Sequence, residues 1–215
     1  VSVRSGWMNS PRLLELAGVG EAEHLEAVGI DVLQELKGVG ENLRDHYSPR
    51  MKWSVPRELG LTYNDKGRGL GLFWQALKYA FTDKGLLGLP AAPIRAYVRT
   101  REGLEAPDAA ISWIPFLANE NFPLHDQSGI TAIAHVLCTD STGNIHVRSN
   151  DPGTHPAIRF NFLSAQTDRE ILLESMRITR RIMNAGPMRD VSIDEMAPGV
   201  GTQSDDDLLE WVKHN

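Results

Sequence analysis

The chain has 215 residues, 22 Lys and Arg against 28 Asp and Glu for a formal net charge of −6, and 41% hydrophobic residues. That length suits one large domain, or one domain with part of a second, and the composition supports a sizeable core. Scattered basic residues exclude a phosphate-backbone binder, so nucleic acid is not an expected partner. The single Cys138 excludes an intrachain disulfide and speaks against a thiolate metal site. No apolar run reaches the roughly 20 residues of a membrane-crossing helix, so no membrane span is expected.

The first element is a strand-like run, Val1-Ser2-Val3-Arg4-Ser5-Gly6, entering a tight turn. A short helix follows, with Ser10 as N-cap, Pro11 at the first helical position, Leu13, Leu14 and Leu16 as its apolar face and Gly18 as its terminator. Glu21 to Val28 reads as a second helix stopped at Gly29, and Ile30 to Leu36 alternates as a strand. At Asp45-His46 the pattern changes to longer elements, which marks a boundary: 1–46 and 47–215. Met51 to Val55 is a strand; Gly67 to Gly71 is a link; a helix runs from about Leu72 to Phe81 with Leu72, Gln75, Ala76, Tyr79 and Ala80 near one face.

Strands dominate the middle. Ile94 to Val98 and Ala109 to Ile114 are joined through a turn at Arg101-Glu102-Gly103. Ile130 to Leu137 and Ile145 to Arg148 flank the turn-forming run 140–144 and read as a hairpin, and Ile158 to Phe162 adds a strand. Asp168 to Asn184 carries the strongest helical period, ended by Gly186-Pro187. A last helix opens at Ser204 with Asp207 in the capping-box position. The fold class expected is α+β, a largely antiparallel mixed sheet with helices on one face.

Three glycine clusters, 18–20, 38–40 and 67–71, lack the third glycine or the Lys-Ser/Thr of nucleotide loops and read as turns or hinges. Of seven histidines, His24, His125 and His155 lie beside acidic or turn residues and read as solvated. His135 and His146 stand on strands with no second ligand at metal spacing, so no metal site is expected.

The run Gly6 to Gly20 resembles the second signature of the glucose–methanol–choline (GMC) flavoprotein oxidoreductases, with Trp7 and Ala17 in place of the usual small residue and serine. Gly38-Val39-Gly40-Glu41-Asn42-Leu43-Arg44-Asp45-His46 is similar to that family's Gly-Val-Gly-x-Asn-Leu-x-Asp-His. Pro107-Asp108, the run 143–147 and Ala197-Pro198-Gly199 recur in the family's order, so the resemblance covers essentially the whole chain.

The resemblance implies the tail of an FAD-binding α/β domain over 1–46 and an incomplete substrate-binding domain over 47–215. It places Ser5, Gly6, Asn42, Asp45 and His46 near the FAD cofactor. A turn-holding role is the competing reading for Asn42 and Asp45. Arg95, Trp113 and Phe116 fall where the family lines its substrate cavity, with core packing as the competing reading for the aromatics. Pro93 stands where choline-type members carry a glutamate, which with Arg95 implies a neutral or anionic alcohol substrate. The implied activity is hydride transfer from a CH–OH donor to flavin. Alternatives are a non-catalytic binding or structural fragment, or a lyase on the same scaffold. No catalytic residue is expected within the chain: the family's base belongs to a His-Pro-x-Gly-Thr block that would begin beyond Asn215, and its dinucleotide fingerprint would precede Val1. His214 reads as a surface residue, the chain alone is expected neither to retain FAD nor to turn over alcohol, and the resemblance leaves room for a homo-oligomer.

Overall fold

The structure is a computed structural model that describes residues 5–118, 124–192 and 194–215. The chain divides into two compact units, residues 1–46 with 139–168, and residues 47–138 with 169–215. The first break falls at His46, where the sequence pattern changes. The return of 139–168 to the first unit has no counterpart in a single linear boundary.

Helix α1 spans Gly6–Leu16 and starts well before Ser10. Pro11 therefore lies inside it, where the missing N–H leaves the Trp7 carbonyl without its usual donor. Ser10 caps nothing in the expected sense; its Oγ accepts the Ser5 N–H at 3.1 Å. Residues 1–4 of the expected first strand lie outside the described residues. The buried position of α1 is Glu15 rather than Leu13, which is largely exposed.

Strand β1 (Val19–Gly20) pairs in parallel with β2 (Gln34–Glu35), and α2 (Ala22–Ala27) lies between them in sequence. The strand expected over 30–36 is thus shortened to two residues. Its first residue, Ile30, joins a buried cluster with Leu25 and Val147 instead of a ladder.

The second unit opens with β3 (Arg50–Ser54), the single-turn α3 (Tyr63–Lys66) and α4 (Gly69–Thr82). Three strands follow: β4 (Ile94–Val98), β5 (Ala109–Ile114) and β6 (Gly129–Val136). The chain then supplies β7 (Asn144–His146) and β8 (Ala157–Arg159) to the first unit. Helix α5 (Gln166–Met183), α6 (Gly186–Val191), β9 (Glu195–Ala197) and α7 (Asp205–Lys213) follow, and from Arg169 on they belong to the second unit. Ser204 caps α7 as expected, accepting the Asp207 N–H at 3.1 Å.

The sheet of the second unit has the order β4-β5-β6-β3-β9, and every pairing is antiparallel. This is the α+β architecture with an antiparallel sheet and helices. It also corrects the hairpin expected from β6 to β7. Strand β6 already has β5 on one edge and β3 on the other, so β7 finds no free edge there and pairs with β8. The turn before it is fixed by Asp168, whose carboxylate accepts the Asp140 and Ser141 N–H groups at 2.9 and 2.8 Å.

Strand register sorts the side chains. Ile111, Trp113, Ala132, Ala134, Met51 and Trp53 fall on one face and are buried. On the long helix Leu172, Met176 and Met183 are buried at helical spacing. Helix α4 keeps its apolar period yet has no buried residue, and Phe81 is 83% exposed. Removing comparable apolar bulk should therefore have very different effects. Leu172→Ala should cost about 3 kcal/mol and Phe81→Ala less than about 0.5 kcal/mol, measured by urea denaturation.

Candidate functional site

Two concave surfaces stand out, one within each unit. In the first unit, α1 and the 38–44 loop line a cavity of about 650 Å³. Trp7, Leu14, Leu36, Val39, Leu43 and Ile145 give it apolar walls, and Ser10, Asn42 and Arg44 add polar groups. The loop cannot be redrawn freely. Gly40 has φ +82, and a Cβ there would strike the Ile145 carbonyl and come within 2.8 Å of the His146 ring. Its carbonyl accepts the Ile145 N–H at 2.7 Å, and Leu43 and Gly143 exchange two backbone bonds at 2.9 and 2.8 Å.

Of the residues the family resemblance places near a cofactor, Asn42 lines this cavity, in the left-handed region at φ 59. Ser5 and Gly6 directly precede Trp7 in its wall, and Asp45 and His46 directly follow Arg44. Asp45 accepts the His46 N–H at 2.8 Å, a local turn bond. A Cβ at Gly6 or Gly38 would meet nothing within 4 Å, so the backbone at both is open to a ligand. Apolar walls with a few polar groups beside open glycine backbone are the lining of a small-molecule pocket.

Behind the 38–44 loop lies a cluster that chain spacing does not reveal. Glu15 is fully buried, with Oε1 2.7 Å from His146 Nδ1 and Oε2 accepting the Val147 N–H at 2.8 Å. His146 Nε2 is 2.9 Å from Glu41 Oε1. His24, expected to be solvated, packs its ring 4.9 Å from that of His146 and bonds the Val147 carbonyl at 3.0 Å. One ligand-type atom from each of Glu15, His24 and His146 lies within 4.8 Å of the others. Both Glu15 oxygens, however, already accept hydrogen bonds, and both His146 nitrogens already face carboxylates. The geometry therefore describes a proton-held cluster. The clue in the sequence is a lone glutamate among leucines on a short helix.

In the second unit, a cavity of about 410 Å³ lies on the sheet face opposite the buried row. Arg50, Lys52, Ile114, Thr131 and Ile133 line it from the strands, Phe116 and Ala118 from the segment after β5, and His214 from the end of α7. Arg50, Ile133, Ser112 and Arg95 form one cross-strand row, and Arg95 donates its Nε–H to Ser112 Oγ at 2.9 Å. Arg95 and Phe116 therefore belong to the cavity face. Trp113 does not. It pairs across from Ile94 and lines an apolar crevice with Ile130, Ile182 and Met188 on the other face, where core packing accounts for it. Its Nε1 has no partner there.

The Phe116 segment is held by α3. Asn64 is buried; its amide donates to the Leu117 and His125 carbonyls at 2.9 and 2.8 Å and its Oδ1 accepts the Leu117 N–H at 2.9 Å. Thr131 Oγ1 donates to the Phe116 carbonyl at 2.7 Å, and Tyr63 stacks on Phe116. Asp65 closes the capping box with Thr62 and accepts from Ser128. Burial pushes its carboxyl up, but the bonds from Ser128 and Thr62 and the charge of Arg57 outweigh it and hold it below the usual carboxylate range.

Residues 139–215 match the family model described as GMC oxidoreductase. The whole chain is 32% identical over 220 residues to the oxygen-dependent choline dehydrogenase of Pseudomonas aeruginosa (strain LESB58), of which it covers 38%. This chain resembles GMC oxidoreductases over its whole length. It is also 28% identical over 218 residues to the oxygen-dependent choline dehydrogenase of Staphylococcus haemolyticus, again over all of this chain and 38% of that protein. Its fold matches the crystal structure of a formate oxidase with a TM-score of 0.83 at 19% identity, over 97% of this chain and 41% of that one. The chain thus spans well under half the length of the GMC proteins it matches.

Replacing Asn64 leaves the Leu117 N–H and the His125 carbonyl without that partner, while the Leu117 carbonyl keeps the His125 N–H at 2.9 Å. Asn64→Ala should lower stability by about 3 kcal/mol in urea denaturation.

Proposed function

We propose that this chain forms part of an FAD-dependent oxidoreductase that oxidises a CH–OH donor, and that its substrate is a neutral or anionic alcohol. The cofactor reading is supported by the similarity to GMC oxidoreductases and by the cavity of the first unit. There Asn42 and Arg44 would contact the cofactor's polar parts, Trp7, Val39 and Leu43 its flat apolar part, and Ser5, Gly6, Asp45 and His46 would flank them. When bound, FAD would supply the hydride acceptor. The chain's own residues would bind and orient: Phe116 and Ile114 offer apolar contact to a carbinol, and Thr131 gives the wall a hydroxyl. The proton acceptor is assigned to the family's His block, outside these residues.

The observation that carries the substrate class is the charge of the cavity face. Lys52 lines it, and Arg95 stands in the same cross-strand row as its lining residue Ile133. A quaternary ammonium would meet like charge there, and repulsion is an effective means of excluding a substrate. Trp113, facing the covered side, has no part in the proposal.

Steady-state kinetics on the whole protein test it. The kcat/KM for choline should fall at least about tenfold below that for simple aliphatic, aromatic or carboxylate-bearing alcohols, and Arg95→Glu should narrow the gap. A strong preference for choline would overturn the substrate class while leaving the flavin reading intact.

A further inference from the structure

His146 has a carboxylate on each ring nitrogen, Glu15 at 2.7 Å on Nδ1 and Glu41 at 2.9 Å on Nε2. Ionised carboxylates only accept, so two contacts of this length require a proton on both nitrogens; a neutral imidazole could serve just one. The Val147 carbonyl likewise only accepts, so His24 donates to it from Nε2. Three elements meet at the ring: α1 through Glu15, the 38–44 loop through Glu41 and the Gly40 backbone, and α2 through His24. On β8 the residue paired with His146 is Ala157, which cannot titrate. The titratable groups facing the ring are therefore Glu15, Glu41 and His24.

We infer that His146 is a positioning residue whose doubly protonated ring pins the 38–44 loop, so that loss of one proton loosens that wall of the first unit's cavity. The occupant of the cavity rests on the reading given above; the pin itself does not. A neutral ring must release one carboxylate. Glu15 is buried, with its second oxygen committed to Val147, whereas Glu41 is exposed and can turn to water. The Glu41 contact is thus the one that opens, and it is the one that belongs to the loop.

Burial disfavours the charged ring, but the hydrogen bonds and charges of Glu15 and Glu41 outweigh it and raise His146 above its ordinary value. A raised value means that the folded chain binds the proton more tightly than the unfolded one. The stabilisation is complete below about pH 6.5 and is lost as pH rises through the raised value.

The test uses the whole protein freed of flavin, so failure of the cofactor reading leaves it interpretable. Nitrogen-15 NMR of the His146 ring should show both nitrogens protonated at about pH 6.5. Amide protection factors of Leu43 and Ile145, whose N–H groups hold the loop, should fall about tenfold across the His146 titration while that of Leu25 stays constant. Glu41→Gln should move the titration down, and His146→Gln should abolish the step in loop protection. If His146→Gln does not fold, the wild-type titration decides alone. A bare Nδ1 at about pH 6.5, with the proton on Glu15, would overturn the inference, as would loop protection that stays flat while the ring titrates.

Discussion

A carboxylate with no exposed surface is tolerable only if every acceptor position finds a donor, and Glu15 organises the first unit around that requirement. Its donors are His146 at the end of β7 and the next residue, Val147, 131 and 132 residues away in sequence. Because Glu15 points inward, α1 must lie where His146 and Val147 can reach it, and β7 must return to this unit rather than extend the sheet of the other. Val147 then completes the apolar cluster with Leu25 and Ile30. Partner removal in such a pair is costly, because it strands a buried charge.

The second unit depends on register in the same sense. Five antiparallel strands with fixed partners divide the side chains between a buried row and a cationic cavity face, and a slip of one residue would exchange them. Asn64 and the Thr62–Asp65 box carry that order beyond the strand ends, where the chain no longer has a ladder to follow. Phe116 reaches the cavity face because its carbonyl and the backbone of Leu117 are held on separate sides by Thr131 and Asn64.

Local signals were legible in the sequence where the physics is local. The α5 period, the Ser204 cap, the β4–β5 pair and the break at His46 all follow from periodicity, capping chemistry or turn residues. What was not legible depended on distant partners. The hairpin assigned to β6 and β7 failed because two strands far apart in sequence, β3 and β5, occupy both edges of β6. Ser10 and Pro11 looked like a helix start, yet the helix begins at Gly6. The resemblance puts both Trp113 and Arg95 in cavity-lining segments, but pairing Ile94 with Trp113 gives the two opposite strand parity and leaves Trp113 its competing reading, core packing. Glu15, His24 and His146 carried no common spacing, so only the fold could bring them together.

Flavin-dependent oxidation of an alcohol by the whole protein is the proposal to which both cavities are assigned. The most direct measurement is anaerobic stopped-flow absorbance of the whole protein mixed with a neutral or anionic alcohol. Loss of the oxidised flavin band, with one equivalent of carbonyl product per flavin, is the expected result. Conversion of substrate with the flavin band unchanged, as a lyase would give, or purified protein without flavin absorbance, would contradict it.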